Sequence, residues 1–231
     1  MLRLEGLKYA EAGFSLTVDV TVQTGARVAV IGPSGAGKST LFNLISGFLA
    51  PDHGRVLWNG EDITDKTPGD RPIAMLFQDN NLFPHLTAEQ NVGLGLRSDL
   101  RLDAAQKRKV HDALHRVGLD GFETRRPGKL SGGQQSRVAL ARLMVQDRPL
   151  VLMDEPFAAL GPALKNEMLD LVRQLVDETG ATVLMISHDP GDAQRFATES
   201  ILVASGVVHA PQDTGRLLSD PPQELRDYLG T

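Results

Sequence analysis

The chain has 231 residues, with 24 basic and 29 acidic side chains and a formal net charge of −5. Apolar residues make up 41% of the chain and charged residues 23%, which is typical of a globular protein and excludes a disordered or fibrous one. The absence of cysteine excludes disulfides and cysteine-ligated metal sites. A mildly acidic chain with few aromatic residues lacks the positive surface and stacking platforms of nucleic-acid-binding proteins, so we expect no nucleic-acid partner.

The sequence carries no pattern for membrane insertion or export. No uncharged apolar stretch reaches the length of about 18 residues that a membrane-spanning helix needs. The first residues, Met1 to Glu5, form no apolar segment and include an acid, so they do not resemble a secretory signal.

The first 83 residues contain predicted strands and one predicted helix. Alternating apolar residues and short β-branched runs predict the strands, and the spacing of Leu41, Leu44, Ile45 and Phe48 predicts the helix. An Asn59-Gly60 pair predicts a hairpin turn. The predicted elements are β structure over Met1–Val22, a buried strand Arg27–Gly32, a helix Lys38–Leu49, a hairpin Gly54–Ile63 and a strand Ile73–Phe77.

From Thr87 to Gln146 the pattern is helical, with a capping box of Thr87 and Gln90 and further helices that open at Asp103 and Ser131. Strands and helices then alternate again, which predicts a parallel sheet with right-handed crossovers. We therefore predict one domain, 1–231, in which an α/β and β core (1–83 and 147–231) is interrupted by a helical insertion (84–146). The predicted later elements are a strand Leu150–Met153, a helix Ala163–Thr179, a strand Thr182–Ile186, a helix Pro190–Ala197, and a small hairpin with one short helix over Ile201–Thr231.

Residues 32–39 follow a predicted strand, open a predicted helix and match the pattern G-x-x-x-x-G-K-[ST] of a phosphate loop. Glycines let backbone N–H groups curl around a phosphate, and the helix points its positive end to the same place. In this pattern Lys38 reaches the β- and γ-phosphates and the Ser39 hydroxyl binds Mg²⁺. The predicted ATP ligands here are Gly32, Pro33, Ser34, Gly35, Ala36, Gly37, Lys38, Ser39 and Thr40.

Two adjacent acids, Asp154 and Glu155, directly follow an apolar strand. Because a nucleotide site with a phosphate loop requires a carboxylate, Asp154 is predicted to hold Mg²⁺ through water. Glu155 is predicted to polarise the attacking water as general base. The alternative for such a pair is a strand that simply ends in a solvated loop.

The pentapeptide Leu130-Ser131-Gly132-Gly133-Gln134 opens a predicted helix and resembles the signature motif of ATP-binding-cassette (ABC) ATPases. The order of the phosphate loop, Gln78, this pentapeptide, Asp154-Glu155 and His188 resembles the layout of the whole family, from Leu2 to about Val208. The resemblance implies an α/β fold: a P-loop NTPase core with a parallel sheet, an N-terminal antiparallel β subdomain and an inserted α-helical subdomain. It also implies the cofactors ATP and Mg²⁺.

The resemblance implies further roles for single residues. Gln78 would touch Mg²⁺ or the attacking water and link to a transmembrane partner, and His188 would contact the γ-phosphate. Tyr9 would stack on adenine, the alternative being an aromatic side chain that packs on the edge of the β segment. Ser131, Gly132, Gly133 and Gln134 would bind the γ-phosphate held by a second copy of the chain, so that two copies enclose two ATP molecules.

The stretch Arg71–Thr87 followed by Gln90–Leu96 is similar to the ATPase subunits of bacterial thiamine (thiamine pyrophosphate) importers. The Asn80-Asn81 pair and the Gly-Leu-Gly-Leu run carry most of this similarity. It implies a peripheral subunit on the cytoplasmic face of the bacterial inner membrane, bound to permease subunits and served indirectly by a secreted solute-binding protein. The alternatives are an importer of a polyamine, ferric iron, an anion or a sugar, a soluble non-transport ABC ATPase, and a small P-loop switch or kinase.

Two features bear on partners. Ala158 and Gly161 stand where the family usually has serine and aspartate, and because that aspartate contacts the opposite subunit, we expect weak communication between the paired sites. Leu82, Phe83 and Leu86 are apolar in a stretch expected to be an exposed loop, which predicts a permease-docking surface there. The alternative is that these three side chains pack the helical insertion onto the core.

Overall fold

The computed structural model describes residues 1–229, which form one mixed sheet flanked by helices. Gly230 and Thr231, the end of the predicted domain and of the predicted tail, lie outside the described residues. The strands are β1 (Leu2–Glu11), β2 (Phe14–Val22), β3 (Arg27–Ile31), β4 (His53–Trp58), β5 (Glu61–Asp62), β6 (Ile73–Leu76), β7 (Leu150–Asp154), β8 (Thr182–Ile186), β9 (Glu199–Ala204), β10 (Val207–Val208) and β11 (Gln212–Asp213). The α-helices are α1 (Lys38–Ser46), α2 (Ala88–Gly93), α3 (Ala104–Arg116), α4 (Gly132–Val145), α5 (Pro162–Thr179), α6 (Pro190–Phe196), α7 (Thr214–Ser219) and α8 (Gln223–Leu229).

Five parallel strands in the order β9-β3-β8-β7-β6 form the centre of the sheet. Both faces of these strands are covered, so successive residues of one strand enter two different cores. In β3, Val28 and Val30 belong to the core on the α1 side, whereas Ala29 and Ile31 belong to the core with the other helices. Continuous apolar runs are therefore required here, which is why the short runs in the sequence predicted β3, β6, β7 and β8.

The N-terminal part of the sheet is antiparallel, as β1 pairs with β2 and β4, and β4 pairs with β5. The β4–β5 turn has positive φ angles at Asn59 (50°) and Gly60 (84°), the geometry of the predicted hairpin. Strand β10 joins the two parts, because it pairs parallel with β2 and antiparallel with β9. The predicted fold class, an α/β core with an N-terminal antiparallel part and inserted helices, is confirmed.

Helices α2, α3 and α4 lie between β6 and β7 in the chain and pack on one another. Each begins with a capping box, formed by Thr87 and Gln90, by Asp103 and Gln106, and by Ser131 and Gln134. In each box the N-cap side chain accepts a backbone N–H and the glutamine reaches back to the N-cap backbone. The subdomain boundaries at residues 84 and 146 stay a prediction.

The first helix is shorter than predicted. It ends at Ser46, and Gly47 caps it in the left-handed conformation with a φ of 86°. A β-carbon at Gly47 would lie 2.6 Å from Nε of Arg71, so the position requires glycine. Phe48, expected on the apolar face of the helix, is instead 54% exposed and lies beside Phe77 with ring centroids 6.1 Å apart.

The end of the chain also differs from the prediction of a small hairpin and one helix. Strand β9 does form a hairpin with β10, but it also pairs parallel with β3 and so completes the central sheet. Two short helices, α7 and α8, follow instead of one, and Leu225 of α8 is fully buried. Sequence periodicity could not place β9, because its partner strand lies about 170 residues earlier.

Candidate nucleotide site

The parallel order of the strands brings four sequence motifs to one edge of the sheet. The phosphate loop (32–39) follows β3, and His188 follows β8. Asp154 is the last residue of β7, Glu155 comes directly after it, and Gln78 follows β6. These four strands are neighbours in the order β3-β8-β7-β6, so their carboxyl ends lie side by side. Ligands of open α/β sheets bind in the crevice at this edge.

The backbone of the phosphate loop needs glycine at both ends. Gly32 has a φ of 145°, and a β-carbon there would lie 2.0 Å from the carbonyl oxygen of Val203. Gly37 has a φ of 106° and directly precedes α1, and it makes no side-chain hydrogen bond to the N–H groups at the helix start. Lys38 Nζ donates to the carbonyl oxygens of Gly32 (2.7 Å) and Pro33 (2.8 Å), which holds the ammonium group inside the loop.

Opposite charges meet beside this loop. Burial lowers the pKa of Lys38, and the negative charges of Glu155 and Asp154 oppose that shift. Burial raises the pKa of Asp154, and a hydrogen bond from the Ser39 hydroxyl opposes it. The Ser39 hydroxyl and the Asp154 carboxylate are thus neighbours close to Lys38, and their binding of Mg²⁺ stays a prediction.

Glu155 and His188 form a pair at the same edge. His188 Nδ1 lies 3.1 Å from Glu155 Oε2, and the two side chains are 58% and 25% exposed. Glu155 has a φ of 45°, an uncommon conformation for a residue other than glycine, asparagine or aspartate. The strained turn after β7 directs this carboxylate toward the loop that follows β8.

The residues that hold the segment after β8 belong to no sequence motif. The Ser187 hydroxyl donates to Asp192 Oδ2 at 2.7 Å, and the Asp189 carboxylate accepts the Gly191 N–H at 2.9 Å. Lys165 of α5 lies between both acids, 2.5 Å from Asp189 Oδ2 and 2.8 Å from Asp192 Oδ1. The hydrogen bond from Lys165 is the main reason why the pKa of Asp189 is lowered.

Gln78 is exposed, and the loop that follows it is tied to α4. Arg142 donates to the carbonyl oxygens of Asn80 and Asn81, both at 2.7 Å. Asn80 Nδ2 also donates to Ser136 of α4 at 3.3 Å. Both asparagines have positive φ angles, 57° and 44°, which this residue type tolerates. The signature helix therefore supports the loop that carries Gln78.

Ser131 and Gly132, at the start of the signature helix, are exposed. Gly133 packs on α5, because a β-carbon there would lie 2.4 Å from Cδ2 of Leu164. Within residues 1–229, no hydrogen bond joins residues 131–134 to the phosphate loop. Ser131 and Gly132 thus lie at the surface of one copy of the chain, and their binding of a partner's γ-phosphate stays a prediction.

Two aromatic residues lie near the first hairpin. Tyr9 is partly exposed, and its hydroxyl donates to Glu11 Oε2 at 2.6 Å. Phe14 lies directly against the phosphate loop, since a β-carbon on Gly37 would lie 2.7 Å from Cζ of its ring. An open depression of about 350 Å³ is lined by this loop and Phe14. Stacking of Tyr9 on adenine stays a prediction, and Phe14 is the aromatic residue at the loop that the sequence analysis missed.

The three apolar residues after Gln78 are not equally exposed. Phe83 is 46% exposed and lies edge-on to His85, with ring centroids 6.1 Å apart. Leu82 packs against the main core, and Leu86 is partly buried. Leu82 therefore packs on the core, as the alternative expected, whereas Phe83 lies at the surface and its contact with a permease stays a prediction.

The geometry defines a P-loop nucleotide-binding protein, and comparison with known proteins gives its family. Residues 16–158 match the family described as ABC transporter. A thiamine import ATP-binding protein from Cereibacter sphaeroides is 56% identical over 230 residues, covering all of both chains. One from Escherichia coli is 49% identical over 219 residues, 95% of this chain and 94% of that protein. The chain belongs to the ABC transporter family, as an ATP-binding subunit.

Solved structures agree. The ATP-binding cassette MJ1267 in its ADP conformation superposes with a TM-score of 0.88 at 28% identity, covering 100% of this chain and 98% of that one. The cassette MJ0796, solved as a dimer with ADP and Pi after hydrolysis, gives a TM-score of 0.79 at 30% identity, covering 93% and 99%. None of the helices described over residues 1–229 is long and apolar enough to cross a membrane.

Proposed function

We propose that this chain is the ATP-hydrolysing, energy-coupling subunit of a bacterial importer of thiamine or thiamine pyrophosphate. The observation that carries ATP hydrolysis is the edge of the sheet where Lys38, Asp154, Glu155 and His188 converge. The assignment of thiamine as the transported solute is supported by sequence identity over the whole chain to thiamine import ATP-binding proteins.

Each side chain at this edge has its own role in the proposed hydrolysis of ATP. Lys38, held inside the phosphate loop, binds the β- and γ-phosphates in exchange for part of its bonding to the loop carbonyls. Glu155 accepts a proton from the attacking water. His188, already 3.1 Å from that carboxylate, donates to the γ-phosphate as charge develops on it. Gln78 orients the water from the end of β6.

The donors at this edge fit Mg²⁺. The Ser39 hydroxyl, the Asp154 carboxylate and the Gln78 amide oxygen are hard oxygen ligands, and Mg²⁺ in such sites is bound by few protein groups together with phosphates and water. Burial of Asp154 next to Ser39 leaves a carboxylate that gains from a nearby cation. When bound, Mg²⁺ neutralises charge on the phosphates.

A complete site requires two copies of the chain. Ser131 and Gly132 are exposed at the start of α4, where backbone N–H groups without a partner in the helix suit an anion. They would meet the γ-phosphate that the partner's phosphate loop holds. The related cassette MJ0796 is described as a dimer, which supports this arrangement.

The permease would dock beside the Gln78 loop. Phe83 and Phe48 are exposed aromatic side chains, and exposed apolar groups commonly mark a partner surface. Binding there would place the subunit on the cytoplasmic face of the inner membrane, with a secreted solute-binding protein on the other side. Movement of the Gln78 loop would then transmit the state of the nucleotide site to the permease.

Uptake of labelled thiamine tests this function in the source bacterium. A chromosomal Glu155→Gln substitution should abolish thiamine uptake, whereas Glu224→Gln, an exposed acid on α8, should leave it unchanged. Uptake of putrescine, ferric iron, sulfate and maltose should continue in both strains. Normal thiamine uptake in the Glu155→Gln strain together with loss of another solute would refute the cargo and identify the alternative importer.

A further inference from the structure

The phenol of Tyr228, on α8, reaches the segment that carries His188. Its hydroxyl donates to the backbone carbonyl oxygen of His188 at 2.7 Å. Helix α8 is fixed to the core by Leu225, which is fully buried, and the Tyr228 ring itself packs against the main core. A well-anchored side chain from a distant part of the chain thus contacts the backbone of a proposed site residue.

This bond completes the support of the segment. The residues after His188 are held by Lys165 through Asp189 and Asp192. Burial, together with the charges of Glu155 and Asp189, raises the pKa of Tyr228, so its hydroxyl stays protonated and acts as donor. Without Tyr228, the His188 carbonyl loses the donor that fixes the orientation of its peptide plane.

The imidazole of His188 depends on such support. Its side chain is 58% exposed, so packing restrains it little, and its contact with Glu155 is a single pair of atoms 3.1 Å apart. A rotation of the peptide group would move the imidazole away from the Glu155 carboxylate. Catalytic groups must be held close to their productive geometry by neighbours that do not themselves react.

We propose that Tyr228 is a positioning residue for ATP hydrolysis, which fixes the backbone of His188 and thereby holds its imidazole beside Glu155. The proposal rests on the proposed function, because it assigns Tyr228 a task in that same site. The Tyr228 hydroxyl bonds to the His188 backbone and not to the phosphate loop, so we expect it to act on turnover and not on ATP affinity.

Steady-state hydrolysis by the purified full chain with Mg²⁺ and ATP provides the first test. Tyr228→Phe keeps the packed ring and removes only the hydroxyl, so kcat should fall about threefold to tenfold, the effect of one hydrogen bond, with KM for ATP unchanged. Gln223→Ala is the matched control, since it breaks a bond to Asp227 on the exposed side of the same helix. The control should retain the kcat of the wild type.

A double-mutant cycle separates positioning from a general structural effect. Release of labelled phosphate is measured for His188→Ala with and without Tyr228→Phe. If Tyr228 acts through the imidazole, the second substitution causes no further loss in the His188→Ala protein. An equal fall in kcat in both backgrounds would overturn the proposal.

Hydrogen exchange of residues 187–193 tests the same contact without hydrolysis. These amides should exchange faster in Tyr228→Phe than in the wild type or in Gln223→Ala, because the segment opens more often. Unchanged exchange, or an unchanged kcat in an active enzyme, would overturn the positioning role alone. A wild-type protein that hydrolyses no ATP would instead refute the proposed function.

Discussion

Arg71 is a buried cation at the far end of the phosphate-loop helix, and its removal should destabilise the protein strongly. Its side chain is 1% exposed and donates to four carbonyl oxygens: those of Leu44 (2.8 Å), Ile45 (2.6 Å), Thr64 (2.5 Å) and Lys66 (3.1 Å). The first two end α1, where carbonyl groups have no partner within the helix. Arg71 therefore caps α1 and ties it to the segment before β6.

Arg71→Met should lower the free energy of unfolding by about 3–5 kcal/mol. Each buried carbonyl oxygen left without a donor costs about 1–3 kcal/mol, and two of the four bonds are buried, while the other two are only partly buried. Arg71→Lys keeps the charge but not the planar fork, so its loss should be intermediate, about 2 kcal/mol. The loss for Arg71→Met is a large part of the roughly 5–15 kcal/mol that stabilises a domain.

Urea unfolding followed by circular dichroism measures these losses. Arg148→Met is the matched control, because Arg148 is exposed and its one described bond, to the Gly69 carbonyl, is 3.5 Å long. Its effect should stay within about 0.5 kcal/mol. A loss below about 1 kcal/mol for Arg71→Met, with an unchanged slope against urea, would refute the capping role of Arg71.

Three further substitutions test the site and its surfaces. Lys38→Ala should abolish ATP binding measured by calorimetry, because the phosphates lose their main cation. The control Lys107→Ala, on α3, should bind ATP normally. Equal ATP affinities of the two variants would refute the phosphate-loop role of Lys38. Phe83→Glu should abolish transport while ATP hydrolysis and folding survive, since the Phe83 side chain is 46% exposed. The control Val207→Glu, at a position that is 41% exposed, should have no effect. Transport that persists in Phe83→Glu would exclude Phe83 from the permease surface. Gly161→Asp should raise both the Hill coefficient of hydrolysis and the free energy of unfolding, the latter by about 0.5 kcal/mol. Gly161 is the N-cap of α5, makes no side-chain hydrogen bond and has open space around it, so an aspartate fits and caps the helix. An unchanged Hill coefficient would show that glycine in place of the family's usual aspartate does not affect cooperativity.

The local patterns of the sequence predicted most of the fold, and its motifs predicted the family. Short apolar runs placed β3, β7 and β8, the Thr87–Gln90 capping box placed the start of α2, and apolar spacing after Asp103 and Ser131 placed α3 and α4. Motifs that are distant in the chain meet because the strands that precede them are neighbours in the sheet. The alternation of strands and helices predicted that the sheet is parallel but not the order of its strands. The residue-level roles at the nucleotide site stay predictions.

Long-range contacts explain what the sequence did not predict. The early end of α1 depends on Gly47 together with Arg71, a residue 24 positions later whose type alone indicates an exposed side chain. Lys165 and Tyr228 belong to no motif, and they meet the segment after β8 only through tertiary packing. Strand β9 likewise depends on a long-range contact, because its pairing with β3 is visible only in the folded sheet.

The Glu155→Gln protein gives the most direct test of ATP hydrolysis in a dimer that encloses the nucleotide. Its rate of hydrolysis and its assembly state are both measured. With Mg²⁺ and ATP, hydrolysis should fall at least about 100-fold, because only the proton acceptor is lost, while binding persists. Size-exclusion chromatography should then show a dimer that retains ATP and that does not form with ADP, whereas Glu224→Gln should hydrolyse ATP like the wild type. Hydrolysis near the wild-type rate, or a Glu155→Gln protein that binds ATP but stays monomeric, would contradict the central claim.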